Sequence, residues 1–462
     1  MKRRQFLHGL LGAGSVVAGN CIFRNPLIQA AYAQTAPPAS PTLVVVYQRG
    51  GCDGLNTVVP QGDPGYVPLR PTIFIPTDGS GQSNPCIPLD PNPQASVPSP
   101  AIVDTNGQPL VPSVSGASQF FGLQPALEPF DQIYQNGHMA VMPTVHYPNA
   151  TRSHFDGQHR MESGAPVDDL DGWLNRHIQV AGLSGQLQAV HYGSSLAQAL
   201  RGNIPVQSFN SINNFNLGLN GGDEVALTNA VLPVYNNTPS PASAYETLVH
   251  QYGQVLFNNL SVVQNINLPP ENTDPSYPYP SNGYGNQLRE VAGLIKANVG
   301  LQVATVNIGG WDTHSNQGNG DPSGRQSRSF AAFAGGIRAL YDDLRNNPGG
   351  DLMDNVVILT MTEFGRTSRE NGSNGTDHGH AASWFAVGNR LIGGIYGAWP
   401  GLDPATQLNR GRYLEHTIDF RDVMGDVLIN QFGHDVSDFG TLLPGHTYTS
   451  QNLFGQDNVA SA

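Results

Sequence analysis

Residues 361–383 read MTEFGRTSRENGSNGTDHGHAAS, an apolar strand end that runs into a loop of Gly, Asn, Ser and Thr. The loop opens on an acid, Glu363, and closes on a cluster, Asp377, His378 and His380. Carboxylate oxygens and imidazole nitrogens are ligands for divalent metals, and two histidines with an aspartate inside four residues rarely serve packing alone. Three other turns carry similar chemistry. RGGCDGLN supplies Asp53, TRSHFDGQ supplies Ser153 with Arg152, His154 and Asp156 beside it, and GGWDTHSNQ supplies Asp312 and His314. A mixed oxygen and nitrogen donor set favours Zn, Mn or Fe over Mg or Ca, in one or two ions. A serine hydroxyl on such an ion is an activated nucleophile, which assigns that role to Ser153. Arg366, three residues after Glu363, either clamps an anion or neutralises that acid. Each residue also has a plainer use: Asp53 as a turn residue, Ser153 and Asp156 as helix N-terminal residues, Asp312 as the partner that orients His314.

These turns have a common origin. LVVVYQRGG (43–51), MAVMPTVHY (139–147), LQVATVNIGG (301–310) and NVVILTMTEF (355–364) are continuous apolar runs rich in β-branched residues, the pattern of strands buried on both faces. Between them, residues 243–266, 286–298 and 329–346 place apolar side chains three and four apart, as amphipathic helices do. Strands alternating with helices predict an α/β fold with a central, mostly parallel sheet flanked by helices. Sites in such sheets form beyond the carboxyl ends of the strands, so the four turns are expected to share one edge.

The 54 glycines and 36 prolines among 462 residues predict long ordered loops, concentrated in insertions near 76–118 and 185–240. Residues 42–455 read as one domain. Ahead of them, MKRRQFLHGLLGAGSVVAGN pairs Arg3-Arg4 with an apolar stretch, and AYAQ offers small residues at Ala31 and Ala33. Residues 1–33 thus have the form of a twin-arginine signal, and 34–41 that of a linker; the export machinery is then a partner and the destination periplasmic or extracellular. Removing Lys2, Arg3, Arg4 and Arg24 from the 22 basic residues leaves 18 against 35 acids, a formal charge of −17. Such a surface argues against nucleic acid as partner, and no later run is long and apolar enough to span a membrane. Cys52 and Cys86 follow the signal, and their spacing leaves pairing open.

The strings RGGCDGLNTVVP, LRPTI, TRSHFDGQ, GWLNR, GGWDTHSNQ, TEFGRTSRENGSNGTDHGH and GGIYGAWPGL resemble a bacterial exported family, domain of unknown function 1501. They run from about residue 43 to 430. That family in turn looks like a distant branch of the alkaline phosphatase and sulfatase superfamily. The resemblance implies an alkaline-phosphatase-like fold in which Asp53 is the early acid, Ser153 the nucleophile, Asp312 and His314 ligands of one metal, and His378 or His380 the late histidine. It also marks departures. Glu363-Phe364-Gly365 stands where the superfamily commonly has Asp-His-Gly, whereas Asp377-His378-Gly379 carries that string further on. CIPLD (86–90) lacks the arginine of a formylglycine motif. The expected function is an exported metal-dependent hydrolase of phosphate or sulfate esters, small-molecule or glycan. The alternative is a non-catalytic envelope or glycan-binding protein that keeps the fold and part of the metal site.

Overall fold

The computed structural model describes residues 40–455 apart from 79–83, 94–101, 115–116, 166–170, 184–186, 265–275 and most of 216–242. The export signal expected at 1–33, and all but the last two residues of the linker, lie outside the described residues.

A nine-stranded mixed sheet forms the centre. In chain order its strands are β1 (Thr42–Gln48), β2 (Met139–His146), β3 (Ala189–Tyr192), β4 (Gln207–Phe209), β5 (Val303–Ile308), β6 (Val356–Met361), β7 (Ala382–Val387), β8 (Gly394–Ile395) and β9 (Ile418–Asp419). The spatial order is β8-β2-β7-β6-β1-β5-β3-β4, with β9 also paired to β2. The central trio is parallel, Val44 lying opposite Ile358 on one side and Ala304 on the other. Only β7 runs against the rest, antiparallel to both β6 and β2. The expected α/β fold and mostly parallel sheet are thus present, and all four apolar runs became strands.

Both faces of the sheet are covered, which is why β1 reads as an unbroken apolar run. Val44 and Val46 enter a core with Phe130, Leu288, Phe330 and Phe333. Leu43, Val45 and Tyr47 enter the opposite core with Trp173, Ile178, Val423 and Leu428. Successive strand residues face opposite ways, so each core needs alternate apolar positions. Full burial of each such side chain is worth roughly 1.5–3 kcal/mol. The first core is closed by helices α1 (Glu128–Gln135), α5 (Gly283–Lys296) and α6 (Arg325–Arg345), the second by α3 (Trp173–Val180) and α7 (Phe420–Asn430). Along α6, Phe330, Phe333, Ile337, Leu340 and Leu344 are buried at three- and four-residue spacing. The other helices of eight residues or more among the described residues are α2 (His154–Ser163) and α4 (Ala244–Gln264).

The two insertions differ in kind. Residues 76–118 hold short strands, Ile87–Pro88 and Val103–Asp104, in small sheets beside the main one. Residues 185–240, expected as a loop-rich insertion, include β3 and β4, which form one edge of the sheet. Strands of four and three residues are too short to show a period, and α4 begins where that insertion ends. Cys52 and Cys86 are separate buried thiols. No helix among the described residues is long and apolar enough to cross a membrane.

His177, on α3, is wholly buried, with Nδ1 2.7 Å from His434 Nε2. Burial, then the neighbouring His434, push its pKa down to about 3. The unfolded chain therefore binds this proton below about pH 6.5 while the folded chain refuses it. Its contribution is full above pH 6.5 and is lost as pH falls toward 3, on the order of 3 kcal/mol by pH 4. Urea midpoints between pH 7 and 4.5 should fall less in His177→Phe than in the parent chain; equal falls would rule this group out as a source of acid sensitivity.

Candidate metal centre

The carboxyl ends of β1, β2, β5 and β6 lie on one edge because these strands are parallel. β7 starts at that edge because it runs the other way, so residues 362–381 both leave and re-enter the sheet there. The loop doubles back on itself, with Arg366 bridged to His378. The fold-back needs Gly379, where a Cβ would sit 2.2 Å from the Arg366 carbonyl carbon. Across the edge, Gly50 takes φ +124°, and a Cβ there would lie 2.7 Å from the Asp312 amide.

His154, Asp312 and His378 converge so that one ligand atom from each lies within 4.8 Å of the others. The Asp312 carboxylate is the hub. Its Oδ1 is 3.3 Å from His378 Nε2 and 3.0 Å from His314 Nε2, and its Oδ2 is 3.6 Å from His154 Nε2. His314 Nε2 is also 3.1 Å from His378 Nε2. Ligand atoms held about 2.0–2.1 Å from a tetrahedral ion stand about 3.3–3.4 Å apart, close to this spacing.

Each ring is held from behind. His154 Nδ1 meets Glu363 Oε1 at 2.8 Å, His314 Nδ1 meets Asp377 Oδ1 at 3.1 Å, and His378 Nδ1 meets the Arg152 carbonyl at 2.9 Å. Those acceptors fix the proton on Nδ1 and leave each Nε2 lone pair facing the centre, the usual second layer of a histidine metal site. Three lone pairs and a carboxylate then face one another, an arrangement that a cation satisfies. The donor set therefore fits a divalent metal.

Electrostatics agree. Burial alone would raise the Asp312 carboxyl, but Arg366, with His314 and His154, holds it below the usual range. Burial likewise opposes ionisation of Glu363, yet hydrogen bonds from His154, Gln158 and the Gly50 amide bring its pKa down. Its hydrogen bond to Glu363 raises the pKa of His154 against the effect of burial.

The expected site residues thus divide. Asp312, His314 and His378 meet at the centre. Glu363 and Asp377 stand one layer back, as acceptors for His154 and His314. Asp53 is elsewhere: it is fully buried in an ion pair with Arg70, at 2.5 and 2.9 Å, and takes a further bond from Gln317 at 2.6 Å. These donors occupy both of its oxygens. Ser153 is the N-cap of α2, with Oγ 3.5 Å from the Asp156 amide, the plainer role its sequence allowed. Arg366 is buried; besides Asp312 it donates to the Gly50, Gly51, Trp311 and Thr376 carbonyls, so its guanidinium is spent on the scaffold.

His380 joins a second group, with Glu415 and His416. Its Nε2 is 2.9 Å from His416 Nδ1 and 3.4 Å from Glu415 Oε1. Burial and His416 push its pKa down to about 4, so the ring is neutral. The sequence reading did not assign a ligand role to His154, Glu415 or His416. His154 had a signal, its place in the first turn of a helix that follows a strand. EHT at 415–417 had none, since the strand after it has two residues.

Residues 261–438 match the model of a family described as "Protein of unknown function (DUF1501)". The matched stretch contains Asp312, His314, His378, His380, Glu415 and His416, while His154 precedes it. Among curated proteins none matches the chain.

Loss of the Glu363 carboxylate charge behind His154 in Glu363→Gln should weaken metal binding by about 10–100-fold, read by competition with a chelator of known affinity. Asp53→Ala should leave that affinity unchanged while costing roughly 3–5 kcal/mol in denaturant unfolding, because it strands Arg70 without its partner. A loss of metal in Asp53→Ala at unchanged stability would return Asp53 to the ligand set.

Proposed function

We propose, with the family match over residues 261–438 as premise, that the chain is an exported metal-dependent hydrolase of phosphate or sulfate esters on an alkaline-phosphatase-like fold. The observation that carries the reading is the convergence of His154 Nε2, His378 Nε2 and the Asp312 carboxylate, each ring braced at Nδ1. A divalent ion there would supply Lewis acidity toward an ester oxygen and a lowered pKa for bound water or hydroxyl. His154, Asp312 and His378 would hold it, with His314 beside them. Arg366 shares the charge of Asp312, so the donor set would leave much of a dication's charge to act on an anion.

A cavity of about 730 Å³ offers room for a substrate. Arg152 joins it to the centre: its carbonyl braces His378, while its side chain lines the cavity over the Tyr413 ring, 4.6 Å from the ring centroid. Arg410 lines the same cavity, and two guanidiniums in one concave surface suit an anionic group. Ser153 sits between Arg152 and His154, and among the described residues its hydroxyl is engaged by a long contact to the Asp156 amide. That leaves it free to turn toward a substrate as nucleophile.

The alternative, a binding protein that retains a metal, draws on two observations. Ser153 already has a capping role, and the guanidinium of Arg366 is saturated inside the scaffold.

Protein reconstituted with Zn or Mn should turn over aryl phosphates or sulfates, and His378→Ala should abolish that turnover. Ser153→Ala should lose several orders of magnitude in kcat if the hydroxyl attacks, and little if water does. A full metal complement without turnover of any ester would favour the binding protein.

A further inference from the structure

The group at His380, Glu415 and His416 shares no residue with the centre at Asp312, and its three donor atoms form a closed triangle. His416 Nδ1 is 2.7 Å from Glu415 Oε1 and 2.9 Å from His380 Nε2, which in turn is 3.4 Å from Glu415 Oε1. A proton on His416 Nδ1 can be given well to one neighbour and leaves the third atom facing a lone pair. Ligand atoms around an ion held at about 2.0–2.1 Å stand about 2.9 Å apart in octahedral and about 3.4 Å apart in tetrahedral geometry; two of the three separations match these values, and the third, 2.7 Å, is slightly shorter.

The surroundings fix the triangle. The second Glu415 oxygen accepts from Asn409 Nδ2 at 2.8 Å, which points the first inward. His146, wholly buried at the end of β2, stacks on the His380 ring with centroids 4.5 Å apart. The triangle is also open on one side, since His380 and Glu415 both line the 730 Å³ cavity along with Arg152.

We propose that His380, Glu415 and His416 form a second divalent-cation site, of the imidazole–carboxylate class that selects Zn²⁺ or a neighbouring transition ion, with its free coordination positions facing the cavity. An ion there would bind an oxyanion in the cavity from one side while Arg152 meets it from the other. The site stands whether or not the chain hydrolyses esters.

Chelator-stripped protein titrated with Co²⁺ should take up two equivalents with visible absorption. Glu415→Gln and His416→Ala should each retain one, and so should Asp312→Ala, through loss of the other ion. Circular dichroism confirms that each variant is folded, and Glu415→Gln keeps the volume of the original side chain. Anomalous scattering at the Co edge should place a peak about 2.0–2.2 Å from His380 Nε2. Two equivalents retained in both Glu415→Gln and His416→Ala would overturn the proposal. So would a single equivalent in the parent chain that vanishes in Asp312→Ala. Neither result bears on ester turnover, which is read separately.

Discussion

The edge of the sheet that carries the histidines is held by one buried cation. The guanidinium of Arg366 has no exposed surface, and a charge so placed must be matched on every side or the fold pays several kcal/mol. The match comes from three loops: Gly50 and Gly51 after β1, Trp311 and Asp312 after β5, and Thr376 in its own loop. The loops are drawn together because each supplies an acceptor to the same plane of donors. Asp312 reaches its position as part of that arrangement, and His314, two residues on, follows it. The cluster is therefore assembled from a structural demand first, and its carboxylate and imidazoles inherit the geometry.

A second buried pair works alongside. Asp53 and Arg70 are wholly enclosed, and Arg70 extends to the Thr367 and Ser368 carbonyls at 2.9 Å each. Gln317 joins this pair to Thr313 and Thr376, at 2.8 Å from each hydroxyl. Polar networks this enclosed are tolerable only when all members are satisfied, and they then hold a unique arrangement. The region around the histidine cluster is accordingly stiff, which keeps its side chains in place.

Much of this was legible in the chain. Four apolar runs announced the central strands, and their glycine-rich ends announced one functional edge, because buried parallel strands leave little choice of where loops go. Asp312, His314 and His378 followed from residue type. What stayed hidden depended on distant partners. Asp53 looks the same in sequence whether it meets a metal or Arg70, and only the fold decides. Glu363 could be read as a ligand because nothing local shows that His154 stands between it and the centre. β3 and β4 were missed because three or four residues form a strand only when a neighbour is already in place. The reversal of β7 was missed for the same reason, and with it the cause of residues 362–381 spanning a single edge.

The position of β1 has a consequence for how the chain reaches this state. Leu43 pairs with Val303 and Val357, so a fully buried central strand is made before its partners and waits roughly 260 residues for its first neighbour. Pairings so distant in sequence must meet a large loop-closure entropy before they return any energy, which makes folding slow. Throughout that delay LVVVY is an uncharged, β-branched segment with both edges open, the kind that recruits other chains. Both edges close only when Val303–Ile308 and Val356–Met361 have been made and have docked on either side of it.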